Sequence, residues 1–410
     1  MWLSQSDYSH AIMPFPLDEK SMKKLIGSNL LWSGLLILLS ACAGAASTPT
    51  HPPTATLSPT RALSATPSSP PTRTTVPSAT PSPEPTLIPR PTLADEGLVD
   101  FSILHINDFH GQVLFHETEF GVPPEGGDRF PGDISATGAA RLAFFVKSYR
   151  EKVGAESMLL LDAGDLIQAS PDANDSQGQV VLDVINQIGF QAGMAGNHEF
   201  FFGESRFLEI AEQQKAGGFQ FLAANISARK PNSSRCQPNL ILPPYLIFDL
   251  GKDPGPKVRV AVIGLANQSY PEWGFDNESL CISSSPLAAL KEYYPKLKDQ
   301  EFADIIVVLS HQGYDEDMAL AKAATQQNTP VDLIIGGHSH TYLDQPGLVG
   351  ATYIVQVGEY GKRVGIFDLT FNRATKKLDV AWKTEDIKTS TPEDPQTVQF
   401  LQTALPAAQP

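Results

Sequence analysis

The sequence predicts an α/β fold with a layered core, and three observations lead to this prediction. From residue 99 onward, short apolar runs typical of strands alternate with segments whose apolar residues recur at helical spacing. Three consecutive strand-like runs follow near the end of the chain. Polar side chains of the kind that bind metal ions come directly after five of the predicted strands. Alternating strands and helices form layered α/β cores, and the last three strands add antiparallel pairing.

Strands and helices are predicted along the whole segment from residue 99 to residue 382. The predicted strands span residues 99–106, 158–161, a short run ending at 195, 219–223, 258–265, 305–309, 331–335, 352–357, 364–371 and 377–382. The predicted helices span residues 135–152, 180–188, 204–214, 287–297 and 318–324. The run at 158–161 has four apolar residues between polar flanks, which is typical of a strand buried on both faces.

The N-terminal segment has the features of an export signal. Two lysines precede the apolar run at 30–39, and small residues follow it, which is typical of a secretory signal. Leu39-Ser40-Ala41-Cys42 is similar to the lipobox of bacterial lipoproteins, in which the cysteine is lipidated and becomes the mature N-terminus. We therefore interpret residues 1–42 as a signal segment with Cys42 as a lipid anchor, and Met22 as an alternative start. An ordinary cleaved signal with a chance cysteine is the other interpretation.

Residues 43–93 are predicted to be a disordered tether. The positions from 47 to 93 hold 13 Pro, 12 Thr and 7 Ser. Proline removes backbone donors, and there is almost no apolar surface to offset the entropy of ordering the chain. We expect this segment to separate the folded part, residues 94–390, from the membrane. Residues 391–410 are interpreted as a C-terminal tail.

The charge of the chain excludes two classes of partner. Residues 94–410 carry 24 basic and 41 acidic residues, a net charge of −17. Sequence-independent nucleic-acid binding needs a basic face that replaces counterions. Electrostatic docking on anionic lipid needs basic residues as well. We therefore expect no nucleic-acid partner and membrane association through the lipid anchor only.

Two cysteines remain beyond the signal segment, Cys236 and Cys281. Cysteines of an exported protein enter an oxidising compartment, where they can pair. The sequence does not give the distance between them, so a disulfide between these two residues stays open.

Five of the predicted strands are followed by Asp, Asn or His. The five segments are Asn107-Asp108-Phe109-His110, Asp162-Ala163-Gly164-Asp165, Gly196-Asn197-His198-Glu199, Ser310-His311-Gln312-Gly313 and Gly336-Gly337-His338-Ser339-His340. Because ligands of open α/β sheets collect at the carboxyl ends of strands, we expect these segments to converge on one site.

The residue types in these segments indicate a metal site. Carboxylate, imidazole and amide ligands together suit borderline divalent ions such as Zn, Mn or Fe. Seven candidate ligands are too many for one four-coordinate ion and suit two ions that share a bridging carboxylate. Paired ions clamp a phosphoryl group and activate water at neutral pH.

The same motifs give the sequence a family resemblance. From about Asp100 to Asp386 it resembles the 5′-nucleotidase branch of the calcineurin-like metallophosphoesterases. Besides the five strand-end segments, the resemblance rests on Ala224-Asn225-Ile226 and on Val357-Gly358-Glu359-Tyr360-Gly361-Lys362. The resemblance implies a four-layer α/β/β/α sandwich of two mixed β-sheets.

The resemblance also implies roles for individual residues. One metal ion would be bound by Asp108, His110, Asp165 and His340. The second ion would be bound by Asp165, Asn197, His311 and His338, with Asp165 bridging the two. His198 would be the catalytic histidine, a non-ligand that stabilises transition-state charge and assists the leaving group. We interpret Glu199 as a structural carboxylate that orients its motif.

The chain departs from the family pattern at two places. The family usually has an Asp three positions after the catalytic histidine, and this chain has Phe201. Either His198 acts alone, or another acid such as Glu204 substitutes, or turnover is reduced. The sequence also ends at Pro410, about 25 residues after the last predicted strand. We therefore expect no base-stacking second domain and a broad substrate range.

These observations predict a dinuclear-metal phosphoester hydrolase that is 5′-nucleotidase-like, monomeric and extracytoplasmic. It would use metal-activated water on a small phosphorylated substrate, with nucleotides among the candidates. One alternative is a phosphodiesterase or nucleotide-sugar pyrophosphatase on the same metals. Another is a weakly active or non-catalytic envelope binding protein. The complete set of seven ligand positions weighs against this last alternative.

Overall fold

The computed structural model describes residues 97–114, 138–216, 218–268 and 279–405. The predictions for residues 1–93, including the lipid anchor Cys42, lie outside the described residues. Within the described residues, no helix is both long enough and apolar enough to cross a membrane.

The described chain alternates strands and helices and then ends in strands and one further helix. In chain order the strands are β1 (Leu98–Ile106), β2 (Met158–Asp162), β3 (Ala192–Met194), β4 (Gln220–Leu222), β5 (Ile226–Arg229), β6 (Cys236–Leu240), β7 (Tyr245–Leu250), β8 (Val258–Leu265), β9 (Leu280–Ile282), β10 (Ile305–Ser310), β11 (Leu333–Ile335), β12 (Gly347–Val349), β13 (Thr352–Val355), β14 (Arg363–Asn372) and β15 (Lys377–Asp386). The helices are α1 (Ala139–Val153), α2 (Pro171–Asp175), α3 (Gln179–Ile188), α4 (Glu204–Gln213), α5 (Pro286–Pro295), α6 (Tyr314–Gln326) and α7 (Pro395–Ala404).

Two six-stranded mixed sheets form the centre of the fold. The first has the order β15-β14-β1-β2-β3-β4. Its strands β1 to β4 are parallel, while β14 runs antiparallel to both β1 and β15. The second has the order β12-β13-β11-β10-β8-β7, with β8, β10, β11 and β13 parallel and the two edge strands antiparallel. The antiparallel pairing predicted for the last three strands is confirmed for β14 and β15, whereas β13 lies in the second sheet between β11 and β12.

The two sheets pack face to face between layers of helices. Along β8, Val260 and Val262 belong to the hydrophobic cluster that contains the first sheet. The alternate residues Ala261 and Ile263 point the other way and pack with Leu290 of α5. This alternation follows from the period of two along a strand. Helices α1, α3 and α4 contribute buried residues to the cluster of the first sheet. The structure is therefore an α/β/β/α sandwich, as the family resemblance implies.

A small antiparallel sheet of β6, β5 and β9 lies beside the main sheets. In it, Cys236 and Cys281 are joined in a disulfide, with their Cα atoms 5.9 Å apart. The sequence left this pairing open.

Three helices begin with the same local signal, a capping oxygen followed by proline. Ser170, Ser285 and Asp394 each accept a hydrogen bond from the backbone N–H three residues later. Such residues satisfy the unpaired donors of a helix start, and proline is tolerated in the first turn. The helix that follows Asp394, α7, contacts α1 and α3 and buries Leu401. The segment interpreted as a C-terminal tail therefore contributes a helix that packs on the domain.

Candidate metal centre

The five motifs lie where β1, β2, β3, β10 and β11 end, and the structure brings them together. The side chains form three groups whose potential ligand atoms lie within 4.8 Å of one another. The groups are Asp108 with His110 and His340, His110 with Asp165 and His198, and Asp165 with His311 and His338. Asn197 joins the third group, because its Oδ1 lies 3.0 Å from Nδ1 of His338. All seven predicted ligand positions and His198 thus meet at one site.

The backbone adopts an uncommon conformation at five of the seven positions. The φ angle is positive at Asp108 (52°), His110 (52°), Asp165 (54°), His338 (76°) and His340 (50°). Positive φ is rare for residues with a side chain, although Asp and His tolerate it better than most. Such conformations persist only where the surrounding structure enforces them, and they cluster at functional sites. The loops therefore aim these side chains at the cluster at some cost in backbone energy.

Asp108 ties the end of β1 to the loop after β11. Both of its carboxylate oxygens accept the backbone N–H of His338 at 3.0 Å. Its Oδ2 also accepts a hydrogen bond from the Asn107 amide at 2.8 Å. Its Oδ1 lies 3.4 Å from Nε2 of His340. The carboxylate is fully buried, so these contacts fix its position in the cluster.

Asp165 lies at the centre of the site. Its Oδ2 is 3.0 Å from Nε2 of His311 and 3.9 Å from Nε2 of both His110 and His198. Its Oδ1 accepts the backbone N–H of His198 at 2.8 Å. Asp165 is the carboxylate shared between the groups, as a bridging ligand would be.

Backbone carbonyls fix the orientation of two imidazoles. Nδ1 of His311 contacts the carbonyl oxygen of Ala163 at 2.7 Å, and Nδ1 of His110 contacts that of Gln168 at 3.2 Å. A carbonyl oxygen only accepts, so each Nδ1 carries the proton and each Nε2 faces the cluster as a potential ligand. At Gly164, where φ is 96°, an added Cβ would come within 2.6 Å of Nδ1 of His311. This close approach explains why the loop has glycine there.

The charges of the site favour cation binding. Burial tends to raise the pKa of Asp108, but the hydrogen bond from His340 and the charge of His311 outweigh it and lower the pKa. The pKa of Asp165 is likewise held well below its ordinary value, because His311 outweighs the effect of burial. Burial lowers the pKa of His110 to about 4, so this imidazole is neutral at pH 7. Ionised carboxylates and neutral imidazoles are the forms that bind metal ions.

His311 differs from His110 in its charge state. Burial tends to lower its pKa, but the neighbouring Asp165 carboxylate raises the pKa to about 10. In the metal-free protein the positive charge of protonated His311 therefore balances the negative charge of the Asp165 carboxylate. Metal binding releases such protons, because the ligand must be deprotonated.

Glu199 is a structural carboxylate, as predicted for its motif. It is fully buried, and Asp165, Leu166, Ile167 and Gly196 donate their backbone N–H groups to it at 2.6–3.1 Å. The residue thus connects the loop after β2 to the loop after β3 and holds two segments of the cluster in register.

The imidazole of His198 has a hydrogen-bonding partner in the described structure, and that partner is not Glu204. Nδ1 of His198 forms a hydrogen bond with Oε1 of Gln168. Phe201 stacks on the imidazole, with ring centroids 5.5 Å apart and planes at 17°, and is 58% exposed. The carboxylate of Glu204 instead accepts the backbone N–H groups of Ser279 and Leu280. Gln168 was missed from the sequence, since no motif marks its contact with a loop 30 residues away.

The donor set fits two divalent cations. It contains two carboxylates, one amide oxygen and four imidazoles, which suits borderline ions. Nε2 of His110 and Nε2 of His340 lie only 3.1 Å apart and 3.4–3.9 Å from carboxylate oxygens of Asp108 and Asp165. Once both nitrogens are deprotonated, they lie close enough together to bind one cation. The residues present therefore match the group that the family implies.

The chain belongs to the calcineurin-like phosphoesterase family, since the family model matches residues 101–342. The match covers all five strand-end motifs and confirms the resemblance inferred from them.

Curated relatives are similar over most of the folded part. Protein UshA of Yersinia enterocolitica is 29% identical over 311 residues, which cover 68% of this chain and 50% of that protein. The human 5′-nucleotidase is 27% identical over 317 residues, covering 73% of this chain and 51% of that protein. The chain spans about half the length of these curated relatives.

Solved structures share the fold. The calcineurin-like phosphoesterase YfkN from Bacillus subtilis has a TM-score of 0.59 and 24% identity, and the match covers 75% of this chain and 97% of that chain. The 5′-nucleotidase precursor from Thermus thermophilus has a TM-score of 0.56 and 23% identity, covering 74% of this chain and 58% of that chain.

Proposed function

We propose that this protein is a metal-dependent phosphoester hydrolase with two divalent ions, Zn, Mn or Fe, at the candidate metal centre. The observation that carries the proposal is the position of Asp165, whose carboxylate belongs to two donor groups at once. Asp108, His110, Asp165 and His340 would hold one ion. Asp165, Asn197, His311 and His338 would hold the other. Two ions at this place would neutralise phosphoryl charge and lower the pKa of the attacking water.

His198 is the residue that we assign to the leaving group and to transition-state charge. Its Nε2 faces the cluster, at 3.9 Å from the Asp165 carboxylate, and its side chain is 26% exposed. It is therefore accessible to a substrate that approaches from solvent, unlike the fully buried His311. In its doubly protonated form His198 would donate from Nε2 and stabilise the charge that develops on the departing oxygen.

The substrate that we propose is a small phosphate monoester, with nucleoside 5′-monophosphates as one member of a broad range. Curated relatives are named 5′-nucleotidase, and the Bacillus subtilis relative YfkN is named a trifunctional nucleotide phosphoesterase. Because the chain spans only about half of the first relatives, their base specificity is not transferred to it.

We further propose an extracytoplasmic location, with the domain anchored through lipidated Cys42 and separated from the membrane by residues 43–93. The signal features of residues 1–42 support this, and so does the Cys236–Cys281 disulfide. Structural disulfides persist in oxidising compartments.

The proposal is tested by assaying the full chain, loaded with Zn, Mn or Fe, on a panel of phosphomonoesters, phosphodiesters and nucleotide sugars. Metal content is measured in parallel, and His338→Ala is the matched loss-of-ligand control. We expect hydrolysis of monoesters by the wild type and strongly reduced activity and metal content in the variant. Two bound ions with no activity on any ester would favour a binding protein. Activity on diesters or nucleotide sugars alone would assign the alternative reaction.

A further inference from the structure

Gln168 connects two imidazoles of the site through two different groups. It lies three residues after Asp165 and is only 8% exposed. Its backbone carbonyl contacts Nδ1 of His110 at 3.2 Å. Its side-chain Oε1 contacts Nδ1 of His198. No other described residue is hydrogen-bonded to the imidazole rings of both histidines.

The orientation of the Gln168 amide follows from its neighbours. The backbone carbonyl of Ala169 only accepts, so Nδ2 of Asn174, at 3.3 Å, must be the group that faces it. Oδ1 of Asn174 then accepts the hydrogen bond from Nε2 of Gln168 at 3.2 Å. The oxygen of the Gln168 amide is thereby left to face His198. Because the Ala169 carbonyl can only accept, it determines the orientation of the Asn174 amide, and Asn174 in turn determines the orientation of the Gln168 amide.

The contact determines which nitrogen of His198 carries the proton in the neutral ring. Since Oε1 of Gln168 accepts, Nδ1 of His198 must donate. The other nitrogen, Nε2, faces Asp165 and the interior of the cluster. Phe201 stacks on one face of the ring and limits its rotation. Gln168 therefore holds the Nδ1 edge of the His198 ring by a hydrogen bond, and Phe201 packs on one face of the same ring.

We propose that Gln168 is the positioning residue of His198 and takes over the orienting role that Phe201 cannot fill. Its Oε1 accepts the hydrogen bond from Nδ1–H in both the neutral and the doubly protonated ring, and so keeps Nε2 directed at the place of the leaving group. The Phe201 side chain has no hydrogen-bonding group and contributes only packing to the imidazole. The effect of Gln168 on turnover rests on the proposed function, whereas its effect on the His198 tautomer does not.

The first test examines the tautomer directly, in metal-free full-length protein labelled with 15N-histidine. His198→Asn identifies the His198 signals in long-range 1H–15N spectra. We expect the Nδ1–H form in the wild type and in Gln168→Glu, which keeps an acceptor oxygen. In Gln168→Leu we expect a mixture of both tautomers. An Nε2–H form in the wild type, or an unchanged Nδ1–H form in Gln168→Leu, would overturn the proposal.

The second test is kinetic and uses two substrates, p-nitrophenyl phosphate and an alkyl phosphate, with the metal-loaded protein. We expect Gln168→Leu to lower kcat by about tenfold on the alkyl phosphate, with KM changed less than about twofold. The loss should be smaller on p-nitrophenyl phosphate, whose leaving group needs less assistance, and Gln168→Glu should recover most of it. The exposed Gln399→Leu on α7 is the matched control and should match the wild type.

A double-mutant cycle separates positioning from a general structural effect. If Gln168 acts through His198, Gln168→Leu will lower kcat far less in a His198→Ala background than in the wild type. Equal losses in both backgrounds, or equal losses on both substrates, would overturn the proposal. A wild type that binds two metals and hydrolyses no phosphoester would refute the proposed function instead, and the tautomer measurement would still judge the role of Gln168.

Discussion

Glu199 holds two loops of the candidate metal centre together, and its replacement by alanine measures that contribution. The variant Glu199→Ala removes a buried carboxylate that accepts four backbone N–H groups, from Gly196, Asp165, Leu166 and Ile167. Those donors are left buried without their acceptor, which costs about 1–3 kcal/mol for each group. Relaxation of the loops and entry of water reduce the sum.

The cost of ionising Glu199 in the folded state offsets part of the stability that Glu199→Ala loses. Burial, together with the nearby charge of Asp165, raises the pKa of Glu199 from 4.5 to about 7. A shift of this size corresponds to about 3 kcal/mol of destabilisation of the ionised form, which the alanine variant no longer carries. The net loss that we expect at pH 7 is therefore about 3–5 kcal/mol in the free energy of unfolding, at the upper end of single substitutions.

The measurement is guanidinium unfolding of the full chain, followed by tryptophan fluorescence, with metal content determined on the same samples. Glu209→Ala is the matched control, because its side chain is 66% exposed and, among the described residues, its carboxylate pairs with Arg206. The control should change stability by less than about 0.5 kcal/mol. A Glu199→Ala variant within about 1 kcal/mol of the wild type, with both metals retained, would refute the structural role.

Three further outcomes are expected. Asp165→Asn should lose both metal ions, measured by elemental analysis, because its carboxylate belongs to two of the three donor groups and would bridge the ions; loss of one ion only would contradict the shared role. Burial raises the pKa of Asp317 to about 7, so between its unfolded pKa of 3.8 and about 7 the folded state retains a proton that the unfolded state has released. Stability should fall with rising pH in this window, by at most about 1.4 kcal/mol per pH unit, and Asp317→Asn should reduce that slope in pH-dependent unfolding. Replacing both Cys236 and Cys281 by Ser should lower the free energy of unfolding by about 2–4 kcal/mol, and an unchanged denaturation midpoint would argue against a stabilising bridge.

The central strands could be predicted from sequence because their patterns are strong. The strand predicted at 258–265 has the observed bounds of β8, and the other strands of the two main sheets, except β7 and β12, were predicted within a few residues. The missed β6 contains exposed and half-buried positions and a proline, so its pattern resembles a loop. Helix α7 was missed although Asp394 and the following proline mark its start, because its apolar positions are few.

The ligand positions of the site could be predicted because each is encoded locally. A strand ends, and the polar side chains follow within five residues. Parallel pairing gathers them at one end of each sheet, and the face-to-face packing of the two sheets brings those ends together. The supporting contacts are not local. The partner of His198 lies 30 residues away, and Asn107 reaches Gly358 across 251 residues. Neither contact can be predicted from the spacing of the two residues along the chain.

The same distinction explains why a phenylalanine at position 201 is compatible with an ordered His198. Sequence comparison within one loop suggests a missing acid, since it considers only neighbours of His198 along the chain. In the fold, the loop after β2 lies against the loop after β3, because Glu199 binds both. That contact brings Gln168 to the open edge of the imidazole and leaves Phe201 to pack on its face. The support of His198 in this chain is therefore a neutral amide in place of the carboxylate that the family usually has, and Nε2 faces the cluster.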